Sequence, residues 1–283
     1  MKRSIVLAGV ALVAAFAAAP AFGSAIIGRN VRHAKLAVDS RGRAHVTYSQ
    51  GRHRRTLIAW GAVNARMPSR SVPQVKFRFR YGGSGGGACL PYDGPALSWL
   101  VTACKAPDGS YWALQSWQRL KPNYGGTKGF WELHLSHWTG ALPELVIYQN
   151  WAYHGVRHIF GRLTYNGVGV YGFTSTPHGA PLDSYGRNIY VDTFNSAYGR
   201  GWHRENSFLT HHRGNTLGDF CYAFYKHSGH PSGDGTKYRA TVEGPGVTPD
   251  VMWAADDIGP LDPNLQTQMR SLERSWGDPK CRV

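Results

Sequence analysis

The chain has 283 residues, with 32 Lys plus Arg against 17 Asp plus Glu, a formal net charge of +15, and 35 glycines, 16 prolines and 13% aromatics. Helix formers are scarce and turn formers abundant, which excludes a helical bundle and points to many short strands. After residue 25 no stretch is long and apolar enough to cross a bilayer, which needs about 20 residues, so no membrane span is expected.

Lys2 and Arg3 precede an uncharged run from Ile5 to Ala19 that ends at Pro20. This is the charged-then-apolar pattern of a secretory signal, with small-x-small cleavage after Ala21 or after Ala25. Residues 1–25 are therefore expected to be a signal peptide. The mature protein is expected to be secreted, extracellular or associated with the cell wall.

Residues 29–81 read as a basic β-meander. Between Arg29 and Arg80 there are 13 Lys plus Arg and one acid, Asp39, whereas the rest of the mature chain is nearly balanced. Leu36 and Val38, then Ala44, Val46 and Tyr48, alternate with polar residues around the turn Asp39-Ser40-Arg41-Gly42. A third run, Thr56 to Trp60, follows Gln50-Gly51. Val75, Phe77, Phe79 and Tyr81 then alternate with Lys76, Arg78 and Arg80, which places the cations on one face about 7 Å apart. Together with Arg52, Arg54 and Arg55 they form a positive stripe suited to a polyanion.

Residues 82–87 are a glycine-rich linker or loop. Residues 88–283 read as an aromatic-rich β domain ending in a helix. Leu97, Leu100, Val101 and Cys104 have helical spacing and suggest a short helix, with a strand as the alternative. Strands are expected at Tyr111–Gln118, Phe130–Trp138, Leu145–Tyr153, Val156–Tyr165, Val168–Phe173, Asn188–Phe194, Phe220–His227 and Tyr238–Val242, with a hairpin at Asn166-Gly167. Asp262-Pro263 opens the expected C-terminal helix. The fold class is thus mainly β: an antiparallel sandwich or barrel-like sheet with a small N-terminal meander and a C-terminal helix. Four cysteines allow three pairings, of which Cys89–Cys104 and Cys221–Cys281 join nearest neighbours.

Candidate chemistry is sparse. Glu132 and His134 share one face of a strand and could act as an acid/base pair. Asp183, Asp192, His203 and Glu205 lie in the densest polar stretch and are the carboxylate and imidazole candidates for glycoside hydrolysis. Alternation gives Trp112 and Trp131 a core face, while Trp117 and Trp138 lie on mixed faces and could stack on sugar rings. The 13 histidines are scattered, so neither a metal site nor a cofactor is expected. No nucleophile elbow, phosphate-binding glycine loop or His-Glu-x-x-His motif occurs.

The runs Ala103-Cys104-Lys105-Ala106-Pro107-Asp108-Gly109-Ser110-Tyr111-Trp112-Ala113-Leu114-Gln115 and Pro181-Leu182-Asp183-Ser184-Tyr185-Gly186-Arg187-Asn188 resemble uncharacterised exported β-rich proteins of high-GC Gram-positive bacteria. That resemblance implies export and brings no activity with it. The expectation is a secreted, non-enzymatic binding protein attached electrostatically to an anionic polymer or carbohydrate of the cell envelope. The alternative is a secreted polysaccharide hydrolase using carboxylates in the 183–205 region. Nucleic acid fits the charge but is not the favoured partner, and the sequence carries no signal for oligomeric state.

Overall fold

The structure is a computed structural model that describes residues 24–66, 74–83, 85–120, 129–153, 156–169, 189–196, 198–204, 207–210, 218–224 and 235–256, with 263, 264, 267 and 271. The strands, in order, are β1 (Ala25–Arg29), β2 (Val31–Val38), β3 (Ala44–Gln50), β4 (His53–Trp60), β5 (Arg78–Tyr81), β6 (Leu100–Lys105), β7 (Tyr111–Arg119), β8 (Phe130–Trp138), β9 (Glu144–Tyr153), β10 (Val156–Tyr165), β11 (Val168–Gly169), β12 (Ile189–Phe194), β13 (Trp202–Arg204), β14 (Ser207–Thr210), β15 (Asp219–Phe224), β16 (Lys237–Val242) and β17 (Val251–Ala255). They form four open antiparallel sheets, ordered β2-β3-β4-β5, β1-β8-β7-β6, β13-β12-β16-β17 and β11-β10-β15-β14 with β9 beside β10. Among the described residues none closes into a barrel.

The first two sheets pack face to face. Val38, Ala44, Val46, Leu57 and Ala59 from the meander share one buried cluster with Cys104, Trp112, Leu114, Leu133 and Leu135. Period-two alternation puts each of these on its strand's inner face. Trp112 is fully buried and donates its Nε1–H to the Gly42 carbonyl at 3.1 Å. Its ring stacks on His137 and on Phe77, at centroid distances of 3.8 and 5.2 Å. Burying a large apolar side chain of this kind contributes about 1.5–3 kcal/mol. The basic meander therefore has no core of its own.

The glycine-rich segment lies on the meander's outer face. A Cβ at Gly85 would come within 2.5 Å of the His45 ring, and one at Gly86 within 2.4 Å of the Ala37 Cβ. Gly86 also has φ +128°, a conformation that side chains rarely allow. Immediately beyond, a disulfide joins Cys89 to Cys104, with Cα atoms 5.5 Å apart. The loop it closes corresponds to about 3 kcal/mol of chain entropy.

Several sequence expectations change. Of the two expectations for Leu97–Cys104 the strand holds: from Leu100 on the segment is β6. The turn at Pro107-Asp108-Gly109 folds this segment back onto β7, pairing Lys105 with Tyr111 and Ala103 with Ala113, and the ladder outweighs the helical spacing. Trp131, expected in the core, is 48% exposed and lies outside the buried cluster that holds Leu133 and Leu135. The Asn166-Gly167 hairpin has both residues at positive φ, +51° and +73°, as a type I′ turn requires. Most of the expected C-terminal helix lies outside the described residues, and no helix forms a continuous element among those described. Cys281, and with it the Cys221–Cys281 pairing, also lies outside them.

Candidate functional site

The sheet β1-β8-β7-β6 is covered on both sides. One face meets the apolar core; the other carries Gln115, Trp117 and Arg119 from β7 and Glu132, His134, Ser136 and Trp138 from β8, in register. Against this second face lie Tyr190 of β12 and the segment from Glu243 to Asp250, which joins β16 to β17. Gln115 holds that segment by its backbone, donating to the Asp250 carbonyl and accepting from the Asp250 N–H, both at 2.8 Å.

Glu132 and His134 do come together there, inside a charged cluster. The Asp250 carboxylate accepts from Trp117 Nε1–H at 2.7 Å, from the Gly244 N–H at 2.9 Å and from the Ser24 hydroxyl. His134 Nδ1 lies 2.8 Å from Ser24 Oγ and 3.1 Å from Asp250 Oδ2, and its Nε2 lies 3.5 Å from Glu132 Oε2. Arg119 donates to Glu132 at 2.7 Å, to the Tyr190 hydroxyl at 2.6 Å and to Glu243. Arg29 reaches the other Glu132 oxygen at 3.2 Å.

Burial shapes the protonation of these groups. It alone would lower the His134 pKa, but the nearby carboxylates of Asp250, Glu132 and Glu243 outweigh it and raise it, favouring the imidazolium. Burial raises Glu243 to about 7 against the pull of Arg119 and His134. For Glu132 burial acts in the same sense, yet His134 and Arg119 prevail and hold its carboxyl below the usual range. Of these groups Glu243 is the one brought to neutrality, beside an imidazole that is raised and a carboxylate that is lowered. Glu132, His134, Asp250 and Glu243 are nevertheless at most 1% exposed, so no substrate reaches them in this arrangement.

The cluster continues toward the other hydrolase candidates. Tyr190 lies between two guanidinium groups, Arg119 and Arg204, each 4.6 Å from its ring centroid. Arg204 and Arg239 both bind the Asp192 carboxylate, Arg239 at 2.9 Å. Arg239 in turn sits 4.2 Å over Trp202. Asp192 is thus an anchor between two cations. His203 faces away from it, its Nε2 2.9 Å from the Arg200 carbonyl, and pairs along the ladder with Thr193. Asp183 and Glu205 lie outside the described residues. Trp117 and Trp138, at 1% and 0% exposure, offer no ring face to a sugar.

The meander's cations have the opposite surroundings. On the outer face of β2-β3-β4-β5, register places Arg32, Ser49 and Arg54 in one row, Lys35, Thr47 and Thr56 in the next, and His45, Ile58 and Arg80 in the next, with Arg78 beside Trp60. Arg32, Lys35, Arg54, Arg78 and Arg80 are exposed, as are Arg52 and Lys76 near them, and none pairs with a carboxylate among the described residues. The meander's one acid, Asp39, is used internally by Arg43 and His45, which overcome its burial and hold its pKa well below the carboxylate range. Arg55 points to the sheet's other face, with Tyr48, Gln50 and Tyr81.

Alternation along the sequence identifies Glu132, His134 and the cations but not Ser24, Arg119, Tyr190, Glu243 and Asp250 as members of these clusters. Ser24 falls within the expected signal peptide. Arg119 shares the face of Gln115 and Trp117 by simple alternation, a signal that could have found it. No protein-family model, curated protein or solved structure matches the chain. What the fold defines by itself is a mainly β protein of open antiparallel sheets with a cationic outer sheet.

Proposed function

We propose that this protein works outside the cytoplasm as a binding protein for an anionic polymer or carbohydrate of the cell envelope, held by the outer face of the β2–β5 sheet. One observation carries the reading: Arg32, Lys35, Arg54, Arg78 and Arg80 stand exposed on one face without a carboxylate partner among the described residues. Exposed like charges repel one another and gain little for the fold, whereas a polyanion that neutralises them gains affinity by releasing counterions. The Cys89–Cys104 disulfide suits an oxidising compartment. No helix of the described residues is long and apolar enough to cross a membrane. Polysaccharide hydrolysis from residues 183–205 has less support, since Asp192 is committed to Arg204 and Arg239.

The test is co-sedimentation with an acidic cell-wall polymer in rising salt. Bound protein should fall steeply between low and moderate ionic strength, and a triple variant Arg54→Gln, Arg78→Gln, Arg80→Gln should bind with a shallower dependence. Binding that ignores both salt and the triple substitution would overturn the reading.

A further inference from the structure

The inner face of the meander changes character along its length. Ala44, Val46 and Tyr48 of β3, and Ala59 and Leu57 of β4, point into the core; the same alternation continues into Gln50 and Arg55, beyond the core's edge. There β1 forms the opposite wall of a groove of about 680 Å³, lined by Gly28, Arg29, Tyr48, Gln50, Arg55 and Tyr81 with the two isoleucines of β1. Tyr48 is fixed by donating its hydroxyl to the Ile27 carbonyl at 2.6 Å. Gly28 lets the walls approach: a Cβ there would meet Val31 at 2.7 Å and the Tyr48 ring at 3.3 Å.

We propose that this groove is a binding subsite for an acidic sugar residue of the polymer, an inference that rests on the polyanion-binding reading above. Three features point to a sugar rather than to bare charge. Tyr81 stands 72% exposed on edge strand β5 and presents an aromatic face at the groove's rim, the kind of amphipathic platform on which a sugar ring packs. Arg55 is exposed and without a carboxylate partner among the described residues. Arg29 shares Glu132 with Arg119 and keeps 59% of its side chain exposed, so both guanidinium groups can fork onto a carboxylate or phosphate. The Gln50 amide and the Tyr48 hydroxyl donate to the Arg29 and Ile27 carbonyls of β1, at 3.2 and 2.6 Å, so the walls of the groove are held in place before a ligand enters. A few placed polar groups around an aromatic surface are what orient a ligand, which an open field of cations does not do.

Tyr81 and Arg55 are exposed, so Tyr81→Ala and Arg55→Gln leave the core untouched. Calorimetric titration of the full exported chain at low salt would use four probes: a uronic-acid tetrasaccharide, its neutral counterpart, inorganic polyphosphate and an oligothymidylate. Each substitution should weaken the uronic-acid tetrasaccharide about tenfold, the equivalent of one good aromatic or charge-assisted contact, and change polyphosphate affinity less than about twofold. The double variant Arg78→Gln, Arg80→Gln on the outer face should do the reverse, and the neutral tetrasaccharide should bind far more weakly than the acidic one. If Tyr81→Ala and Arg55→Gln bind the acidic tetrasaccharide like the unsubstituted chain while polyphosphate still binds, the subsite is wrong and polyanion binding stands. If no anionic probe binds, both are wrong. Oligothymidylate binding with the same Tyr81 dependence would replace the sugar by a nucleic-acid base and overturn the proposal.

Discussion

Two sets of arginines in this molecule are chemically identical and physically opposite. Arg119, Arg204 and Arg239 lie in the seam between the central sheet and β12-β16, each bound to a buried carboxylate and stacked near an aromatic ring. Arg32, Arg54, Arg78 and Arg80 stand on the outer sheet in water. The first set has its charge committed to buried carboxylates, Arg119 across the seam and Arg204 and Arg239 within the β12 sheet. The second set has its charge free for a partner, and net charge alone does not distinguish them.

The largest effect expected from breaking this contrast is in the seam. Glu132 is buried and meets Arg119, Arg29 and His134. Glu132→Gln would leave Arg119 and His134 with less opposing charge, and loss of one partner from a buried ionic cluster costs about 3–5 kcal/mol. Chemical denaturation should show a midpoint shift of that size, whereas Arg54→Gln should change stability by less than about 0.5 kcal/mol.

A smaller effect is the pH dependence of the seam. The folded pKa of Glu243, about 7, lies above its ordinary value of 4.5. Between those values the folded chain holds a proton that the unfolded chain has lost, so stability falls as pH rises through that window. His134 is also raised; its contribution is present below its ordinary 6.5 and is lost as pH climbs through its folded value. Glu132 is lowered and acts only in acid, where stability is lost as pH falls below 4.5. Thermal unfolding should therefore show a higher Tm at pH 5 than at pH 8, and Glu243→Gln should flatten the difference. A Glu243→Gln chain whose Tm follows pH as the unsubstituted chain's does would contradict the arrangement of charges in the seam.

Smaller again is the response of the outer sheet. The triple variant Arg54→Gln, Arg78→Gln, Arg80→Gln should retain the Tm and lower the log–log salt slope of polyanion binding by about 2–3, close to one unit per phosphate-like contact removed. An unchanged slope would assign the binding elsewhere.

The N-terminus adds a processing prediction. Ser24 is fully buried, donates its N–H to the Gly244 carbonyl at 2.9 Å and its hydroxyl to Asp250, and is followed by β1 paired to β8. Cleavage after Ala25 would delete this contact, whereas cleavage after Ala21 keeps it. If the chain is processed as a signal peptide would require, its intact mass should match a start at Phe22; a mass matching a start at Ile26 would contradict a structural role for Ser24.

How far these features are legible in the sequence depends on whether they are local. Strands β8 and β10 match the expected ranges because each is an apolar-rich run bounded by glycine-containing turns, and β8 also alternates. The faces of β8 are legible too: Glu132, His134 and Ser136 on one side, Leu133 and Leu135 on the other. What period two cannot reveal is which layer covers a face. A mixed polar face such as Gln115, Trp117 and Arg119 reads as solvent or ligand facing, and here it is buried because β12 and the 243–250 segment, more than 70 residues away in sequence, close over it. The same limit explains Trp117 and Trp138. The apolar spacing of β6 fits both the helical and the strand period, and only its pairing with β7 decides. The groove joins β1 to β3, β4 and β5, a contact across which no local pattern runs.

The most direct measurement of the central claim is the hydrogen-exchange footprint of the protein with and without an acidic wall polymer at low salt. Added protection should be confined to β1 to β5, strongest over residues 47–56 and 78–82, with β7, β8 and β12 unchanged. Protection centred on residues 189–204 and 237–243, with the β2–β5 sheet unaffected, would contradict the account.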